Sequence, residues 1–343
     1  MSKSYKTALV IGGGAFGTSV ANLISENFKY VYVLVRSKDV LEGINNGEND
    51  IYLPGKKLNS NITAVSSLDD LNELKNKIEL IVSGLPTSAI TSFFSRYREE
   101  IESILMEKVP VVCLSKGIDP NSLELPDDLY FAQFPRFKDN FTFLSGPSFA
   151  SEIMDKQITL ASLAGRDRSV LTQVGDMLSC PYFKVFLAYD IKGVLLGGAL
   201  KNILAIAGGI IEGLGYNHNT RAAMITRGIA EMLRFGKIFN ARPETFYGLS
   251  GMGDLILTTT GDLSRNKSFG KELAKGRKAS DIIESQRSVV EGHKTALAAH
   301  RLSEKYEIRA RIFNGIYEAL YEDKDVREII ETMMALPAKF EID

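Results

Sequence analysis

The chain has 343 residues, more than one ordinary domain, and its 45% hydrophobic and 24% charged composition is typical of a globular protein with two cores. Its 41 basic residues against 42 acidic ones leave a formal net charge of −1, which argues against binding to nucleic acid or a membrane surface. The two cysteines, Cys113 and Cys180, cannot form a disulfide framework or a zinc site of cysteines alone, and no metal is expected.

Short apolar runs alternate with helical periods through the first half of the chain. The runs "KTALVIGGG", "YVYVLVR", "IELIVSGLP" and "VPVVCLS" are typical of buried strands, while "TSVANLISEN" has the periodicity of a helix. Strands that alternate with helices imply a parallel sheet covered on both faces. We therefore predict an α/β domain over residues 1–189, doubly wound and of the Rossmann type. Glycines end the first apolar run too early for a signal peptide, so a cytoplasmic protein is expected.

The first predicted strand runs into the motif Gly12-x-Gly14-x-x-Gly17, which opens a predicted helix. Gly12 allows a tight turn, Gly14 lets the backbone approach a pyrophosphate, and Gly17 permits close packing of helix and strand. The N–H groups at the start of the helix would face the phosphates. The motif alone is a weak signal, and a purely structural glycine turn is the alternative. Between a strand and a helix it predicts a dinucleotide site.

The second predicted strand ends at Arg36, Ser37 and Lys38. A carboxylate at this point usually binds the ribose 2′-hydroxyl of NAD, but here the nearest acidic residue, Asp39, comes later. Arg36 can meet the 2′-phosphate of NADP, stack on the adenine ring, or remain a solvated charge at the strand end. The sequence therefore allows NADPH as well as NADH.

Helical periods replace the strand-like runs from about Asp190. They are clearest in "LLGGALKNILAIAGGI", "TRAAMITRGIAEMLRFGKIF", "KSFGKELAKG", "GHKTALAAHRLSEKY" and "RIFNGIYEALYED". We predict an all-helical C-terminal domain over residues 190–343 that binds the substrate. The stretch Gly193–Gly215 is long enough to span a membrane, but Lys201 at its centre would cost about 3 kcal/mol there, so no span is expected.

Lys201 and Asn202 lie side by side within this apolar stretch. On a helix they share a face with glycine and alanine, and such small residues let another group approach the backbone closely. A lysine here can also extend its charged end to solvent. We favour a lysine that meets a ligand from a partly desolvated position, where its pKa falls.

Eight motifs follow one another over nearly the whole chain. They are the glycine loop, "YLPG" (Tyr52–Gly55), "LSKGI" (Leu114–Ile118), "SGPSFASE" (Ser145–Glu152), "GGALKN" (Gly197–Asn202), "GLSGMGDL" (Gly248–Leu255), "SRNKSFG" (Ser264–Gly270) and "VVEG" (Val289–Gly292). In their order and spacing the chain resembles the bacterial-type NAD(P)-dependent sn-glycerol-3-phosphate dehydrogenases. The resemblance implies a second domain like that of 6-phosphogluconate dehydrogenase. It also implies an oxidoreductase that interconverts dihydroxyacetone phosphate and sn-glycerol 3-phosphate with NADH or NADPH, for phospholipid synthesis.

The same resemblance implies roles for individual residues. The catalytic residues are Lys201, Asn202 and Asp254, with Lys201 as the general acid and base. The cofactor-binding residues are Gly12, Gly14, Ala15, Phe16, Gly17, Arg36, Ser37, Lys116, Ala150, Arg265, Val289 and Glu291. The substrate-binding residues are Lys116, Gly146, Ser148, Lys201, Asp254, Ser264, Arg265 and Asn266. Arg265 is expected to be a buried phosphate partner, and Ser264 also suits the N-cap of a helix.

The chain departs from the family pattern at Phe16, at Leu195 and at Arg309–Phe313, which lacks a common proline, and two other functions fit the same two-domain plan. Phe16 stands where Trp or Tyr is common, and Leu195 stands where many members carry Glu. A hydroxyacid or 6-phosphogluconate-type dehydrogenase would also use a lysine on a helix, but does not predict the "SRNKSFG" motif. A sensor that binds NAD(P)H without turnover has no use for a proton donor such as Lys201. We expect an enzyme that takes a phosphorylated triose, and the sequence allows a homodimer.

Overall fold

The computed structural model describes residues 5–70, 77–285, 290–338 and 340. Within them, the first half of the chain forms one eight-stranded sheet. Its strands are β1 (Tyr5–Ile11), β2 (Phe28–Leu34), β3 (Ile62–Val65), β4 (Ile78–Ser83), β5 (Val111–Cys113), β6 (Phe141–Ser145), β7 (Thr159–Gly165) and β8 (Phe183–Ala188).

The strands lie in the order β3-β2-β1-β4-β5-β6-β7-β8. All neighbouring pairs are parallel except β6 and β7, which are antiparallel. The predicted doubly wound sheet is therefore confirmed, with one antiparallel pair that was not expected. The connection between β6 and β7 contains only a five-residue helix, so the chain turns back at the same end of the sheet instead of crossing over. The strand order reverses between β1 and β4, which is the point where such sheets bind ligands.

Helices and loops cover both faces of the sheet. The helices of this half are α1 (Ala15–Ile24), α2 (Lys38–Asn45), α3 (Ile90–Arg96), α4 (Arg98–Leu105), α5 (Pro126–Gln133), α6 (Ala150–Met154) and α7 (Arg168–Leu178). Successive residues of β1 enter two different cores: Ala8 and Val10 pack on one face, and Leu9 and Ile11 on the other. This explains why the run "ALVI" is apolar throughout instead of alternating.

The second half of the chain is helical wherever it has regular structure in the described residues. Its helices are α8 (Ile191–Gly213), α9 (His218–Ile238), α10 (Pro243–Phe246), α11 (Asp254–Thr260), α12 (Arg265–Ala274), α13 (Ala279–Ser285), α14 (Glu291–Lys305), α15 (Arg311–Tyr321) and α16 (Val326–Met334). Helix α8 lies at the centre and packs against α9, α11, α12 and α14. By length and composition it is the one described helix that could cross a membrane, and its most apolar window is 100% buried inside the protein.

Glycines allow α8 and α12 to pack with their backbones in contact. A Cβ atom added to Gly209 of α8 would lie 2.0 Å from the carbonyl oxygen of Lys267. A Cβ atom added to Gly270 of α12 would lie 2.0 Å from the carbonyl oxygen of Ile206. Of the predicted face of small residues, Gly209 is thus a contact point for α12, whereas Gly198 faces Ser145 and Lys116 and Gly208 faces Thr259.

We expect Gly209→Ala to destabilise the protein, because its new methyl group would collide with backbone that cannot move aside. Overpacking of this kind typically costs about 1–3 kcal/mol. Gly175→Ala in α7 is the matched control, since its added Cβ would make ordinary contacts at 3.6 Å. Thermal unfolding should show a lower midpoint for Gly209→Ala and an equal or higher one for Gly175→Ala. Equal midpoints for the two variants would contradict the close packing of α8 on α12.

Candidate active site

The loop between β1 and α1 has the geometry that a pyrophosphate requires. Gly12 has a φ of +106°, which L-residues with a side chain rarely adopt. No atom lies within 4 Å of a Cβ added to Gly14, so the backbone there is open to a ligand. A Cβ added to Gly17 would lie 2.2 Å from the carbonyl oxygen of Gly12. Gly12 therefore forms the turn, Gly14 leaves the backbone open to a ligand, and Gly17 allows the helix to contact the loop closely.

The start of α1 is free to bind an anion. Gly14 occupies the N-cap position and has no side chain to cap the helix, so the first N–H groups are left for another acceptor. Ala15 and Phe16 form the first turn, and the Phe16 ring lies 5.5 Å from Nζ of Lys116. These features fit a dinucleotide whose phosphates lie at the helix N-terminus.

Asn49 supports this loop and was missed by the sequence analysis. Its buried amide donates hydrogen bonds to the carbonyl oxygen of Gly13 and to Oγ1 of Thr18, both at 2.9 Å. It lies in the polar segment "NNGEND", where no local pattern distinguishes one asparagine from another. Its role depends on a contact made 31 to 36 residues away in the chain.

Arg36 and Ser37 follow β2 at the same edge of the sheet. Arg36 is exposed, and it forms no ion pair with any residue that the structure describes. The side chain of Ser37 caps α2 by accepting a hydrogen bond from the Val40 N–H at 3.5 Å. Arg36 can therefore reach an incoming anion, while the Ser37 hydroxyl has a structural use in the free protein.

Lys201 of α8 points into a buried polar cluster. Its ammonium group donates to Oδ1 of Asp254 at 2.5 Å and to the Thr258 hydroxyl at 2.8 Å. The other carboxylate oxygen of Asp254 accepts from Nζ of Lys116 at 2.8 Å. Lys116 follows β5, so one carboxylate joins two lysines that come from different halves of the chain. The alternative of a lysine that extends its charged end to solvent does not hold, since Lys201 is 7% exposed.

Burial and charge shift the protonation of this cluster. Burial lowers the pKa of Lys201 to about 8; Asp254 opposes that shift and Lys116 adds to it. Burial alone would raise the pKa of Asp254, but the ammonium groups of Lys116 and Lys201 outweigh burial and lower it. The carboxylate is therefore ionised near neutral pH, while Lys201 can be protonated or neutral there.

Local backbone geometry brings Asp254 to Lys201. The segment Leu249–Gly253 forms a wide helical turn that leads directly into α11, and Asp254 is the first residue of that helix. A Cβ added to Gly197 of α8 would lie 2.7 Å from the carbonyl oxygen of Ser250. Glycine at this position therefore lets the turn rest against α8, one helical turn before Lys201.

Asn202 connects Lys201 to a second group of residues. Its Oδ1 accepts from Nδ2 of Asn266 at 3.0 Å, and Oδ1 of Asn266 accepts from the Gly292 N–H at 3.1 Å. The Nδ2 of Asn202 donates to two carbonyl oxygens over longer distances, 3.4 Å to that of Lys116 and 3.3 Å to that of Gly198. This chain of amides joins α8 to the N-termini of α12 and α14.

The motif "SRN" lies at the start of α12. Ser264 is its N-cap, with its hydroxyl accepting from the Lys267 N–H at 3.2 Å. The predicted helix cap is thus present in the structure. Arg265, the first residue of the helix, is exposed, so the expectation that it is buried is wrong. Its guanidinium is close enough to Glu291 to oppose the rise of that carboxyl's pKa.

The remaining predicted residues surround the same region. Gly146 has a φ of +149°. Its carbonyl oxygen accepts hydrogen bonds from Nζ of Lys116 at 3.2 Å and from the Ser148 hydroxyl at 2.9 Å. Ala150 begins α6. Burial raises the pKa of Glu291 to about 7, with Lys294 and Arg265 opposing it.

Two further positions and the search for a metal site bear on the sequence predictions. Val289 lies outside the described residues. Leu195 is buried in the apolar core that contains α8, so no polar group replaces the family's Glu at that position. Among the residues that the structure describes, no group of His, Cys, Asp and Glu is suited to hold a metal ion.

Two family profiles match the chain. Residues 7–171 match the N-terminal domain of NAD-dependent glycerol-3-phosphate dehydrogenase, and residues 190–331 match its C-terminal domain. Between them the two profiles cover most of the chain.

Full-length relatives and a solved structure agree with these profiles. A glycerol-3-phosphate dehydrogenase [NAD(P)+] from Syntrophotalea carbinolica is 39% identical, and the alignment covers 97% of this chain and 99% of that protein. One of the same name from Leptospira biflexa is 38% identical, with 97% and 98% covered. The crystal structure of glycerol-3-phosphate dehydrogenase from Coxiella burnetii superimposes with a TM-score of 0.88 at 28% identity, covering 97% of this chain and 99% of that one.

Proposed function

The chain belongs to the NAD-dependent glycerol-3-phosphate dehydrogenase family, and from that premise we propose that Lys201 is the general acid and base of its reaction. The enzyme is an NAD(P)-dependent oxidoreductase, which removes the alternative of a sensor without turnover. Its substrates are dihydroxyacetone phosphate in one direction and sn-glycerol 3-phosphate in the other. The observation that carries the proposal is the buried Lys201 ammonium held by Asp254 at 2.5 Å.

The chemistry divides between cofactor and protein. When it is bound, the nicotinamide supplies or accepts the hydride. The protein must then provide a proton to the ketone oxygen in reduction and remove one from the hydroxyl in oxidation. Lys201 can do both, because a pKa of about 8 makes its two protonation states accessible near neutral pH.

The hydrogen bonds around Lys201 leave it available to a substrate. An ammonium group has three N–H donors, and in the described residues two of them bond to Asp254 and Thr258. The third is left for the reacting oxygen. Asp254 holds Lys201 in place, and its negative charge is balanced by Lys116 as well. Asn202 could release its long bonds of 3.3 and 3.4 Å to meet a substrate hydroxyl.

The N-terminus of α12 is the proposed phosphate site of the substrate. Ser264, Arg265 and Asn266 bring a hydroxyl, a guanidinium and an amide to a helix end that favours negative charge. Asn266 is tied to Asn202, the neighbour of Lys201, so the phosphate and the reacting carbon would lie within one small molecule's reach. Gly146 and Ser148 would complete the pocket from the sheet side.

Initial rates with purified protein test this proposal. Dihydroxyacetone phosphate should support rapid oxidation of NADH, NADPH or both, while short 2-keto acids should support little. A preference for 2-keto acids would point to the hydroxyacid dehydrogenase alternative and would contradict the phosphate site.

We expect Arg36→Ala to raise the KM for NADPH by about three- to fivefold, the scale of one exposed ion pair, and to change that for NADH less. The reason is that Arg36 is exposed at the end of β2 and only NADPH carries a 2′-phosphate. Raising the salt concentration should reduce the difference. Lys38→Ala is the control, since Lys38 is also exposed but faces Glu42 at 3.6 Å. An equal loss with NADH would instead assign Arg36 to the adenine ring.

We also propose the wider setting of the enzyme. Residues 1–189 would form the dinucleotide-binding domain and residues 190–343 the substrate domain, in agreement with the last strand ending at Ala188 and α8 beginning at Ile191.

The glycerol 3-phosphate that the enzyme makes would supply phospholipid synthesis in the cytoplasm. Depletion of the enzyme should then slow incorporation of labelled acetate into phospholipid unless glycerol 3-phosphate is supplied. Light scattering during size-exclusion chromatography would test a homodimer.

A further inference from the structure

Lys267 is a buried lysine whose three N–H donors are all used. Only 2% of the residue is exposed. Its ammonium group donates to the Thr260 carbonyl at 2.9 Å and to Oδ1 of Asp262 at 3.0 Å, and it forms an ion pair with Glu212 at 3.0 Å. A charge buried this deeply is retained only when it is fully paired, and here the pairing is complete.

The partners of Lys267 belong to three different elements. Thr260 ends α11, the helix that begins with Asp254, and Asp262 lies in the short loop 261–264 that leads into α12. Glu212 lies near the end of α8, the helix that carries Lys201. Lys267 itself lies in the first turn of α12. One ammonium group thus ties the helix of the proposed acid and the helix of its carboxylate to the helix of the proposed phosphate site.

Lys267 also fixes the loop from its backbone. Its N–H donates to the hydroxyl of Ser264, the residue that caps α12. The side chain and the backbone of the same residue therefore hold both ends of loop 261–264. Since Arg265 and Asn266 lie between Ser264 and Lys267, their position depends on these contacts.

We propose that Lys267 is a positioning residue that sets the distance between the phosphate subsite and the Lys201–Asp254 pair. It need not touch the substrate. It keeps Ser264, Arg265 and Asn266 where the phosphate of a triose phosphate can reach them while the carbonyl group is at Lys201. This inference rests on the phosphate site proposed above.

Lys271 offers a matched control one helical turn later. It also pairs with Glu212, but it lies 3.9 Å from Asp262 and makes no hydrogen bond to the Thr260 carbonyl. Lys271→Met therefore removes a cation from the same cluster without releasing the loop. Lys267→Arg keeps a cation that can reach the same acceptors, so it serves as the rescue variant.

The experiment compares steady-state kinetics of full-length Lys267→Met, Lys267→Arg and Lys271→Met. For Lys267→Met we expect the KM for dihydroxyacetone phosphate to rise about tenfold, the effect of losing about one strong polar contact, while kcat and the Kd for NADPH change little. The inhibition constant of inorganic phosphate, a probe of the subsite alone, should rise in parallel. Lys267→Arg should recover most of the loss, and Lys271→Met should resemble the wild type.

Several results would overturn the inference. If Lys267→Met lowers kcat and weakens NADPH binding as much as it raises KM, the residue is only structural. If Arg265→Ala raises the phosphate inhibition constant and Lys267→Met does not, the phosphate site stands and the role of Lys267 is wrong. If neither variant affects phosphate, the proposed site itself is wrong and the inference falls with it.

A second variant covers the case in which Lys267→Met does not fold. Asp262→Ala removes the exposed carboxylate partner of Lys267, while the Thr260 carbonyl and Glu212 remain as partners of the buried ammonium group. We expect the KM for dihydroxyacetone phosphate to rise about twofold to fivefold, the scale of one partly exposed ion pair. An unchanged KM would contradict the proposal.

Discussion

Lys201→Ala is expected to lower kcat for the reduction of dihydroxyacetone phosphate by about 10²-fold or more, which is the scale of general acid catalysis. The variant removes an ammonium group that is buried in the site and donates to Asp254 at 2.5 Å. Among the described residues, that group also keeps one N–H for the substrate. Binding of NADPH should barely change, because the glycine loop and α1 lie in the other half of the chain. Stopped-flow measurement of a single turnover would show whether the reaction step itself is slow.

Lys192→Ala is the control for this prediction. Lys192 lies on the same helix but pairs with Asp127 and Asp128, away from Asp254. Its removal should leave kcat within a few-fold of the wild type. If Lys201→Ala retains near-normal turnover, Lys201 is a structural partner of Asp254 and the proton must come from another group.

Arg265→Ala is expected to lower kcat/KM for dihydroxyacetone phosphate by about 30- to 150-fold, equivalent to about 2–3 kcal/mol. Loss of the partner of a buried charge can cost about 5 kcal/mol, but Arg265 is exposed, so we expect a smaller loss. Steady-state kinetics at fixed NADPH would measure the loss.

Arg277→Ala supplies the comparison for Arg265. Arg277 is an exposed arginine that follows α12 and pairs with Glu272, far from the start of that helix. It should leave kcat/KM near the wild-type value. If Arg265→Ala weakens NADPH binding as much as it weakens capture of the triose phosphate, the guanidinium does not act specifically on the substrate phosphate.

Local features of the chain could be predicted from the sequence because their cause is local. The turn at Gly12 needs a positive φ, and the contact of Gly17 with the Gly12 carbonyl spans five residues, so a short motif specifies both. The long helix around Lys201 was also predicted, since its apolar period continues for six turns. Ser264 suited an N-cap, and it is one.

Contacts between distant residues could not be predicted in this way. Lys201 and Asp254 are 53 positions apart, and Lys116 and Asp254 are 138 apart, so no spacing rule joins them. Their assignment to one site came from the family resemblance. Asn49 was missed because its partners lie 31 and 36 positions away, and the burial of Lys267 was missed because its partner Glu212 comes from the distant helix α8.

Strands with weak patterns were also missed. Strand β3 has only four residues, and β8 is an edge strand with Lys184 and two exposed apolar residues, Phe186 and Leu187. Such a strand lacks the continuous apolar run that identified β1 and β4. It takes its place in the sheet from pairing with β7, which the local sequence does not reveal.

The pH dependence of kcat/KM in both directions tests the role of Lys201 most directly. Reduction of dihydroxyacetone phosphate needs the protonated lysine, so kcat/KM should be level at low pH and fall as pH rises through about 8. Oxidation of glycerol 3-phosphate needs the neutral amine, so kcat/KM should rise with pH up to about 8 and then level off. Asp254, whose pKa is lowered, should contribute no change in this range. We expect two opposite limbs with one shared pKa, both absent in Lys201→Ala. Limbs of the same direction in the two reactions, or limbs centred near pH 8 that persist in Lys201→Ala, would contradict the role of Lys201. A persisting limb near pH 7 would instead belong to Glu291.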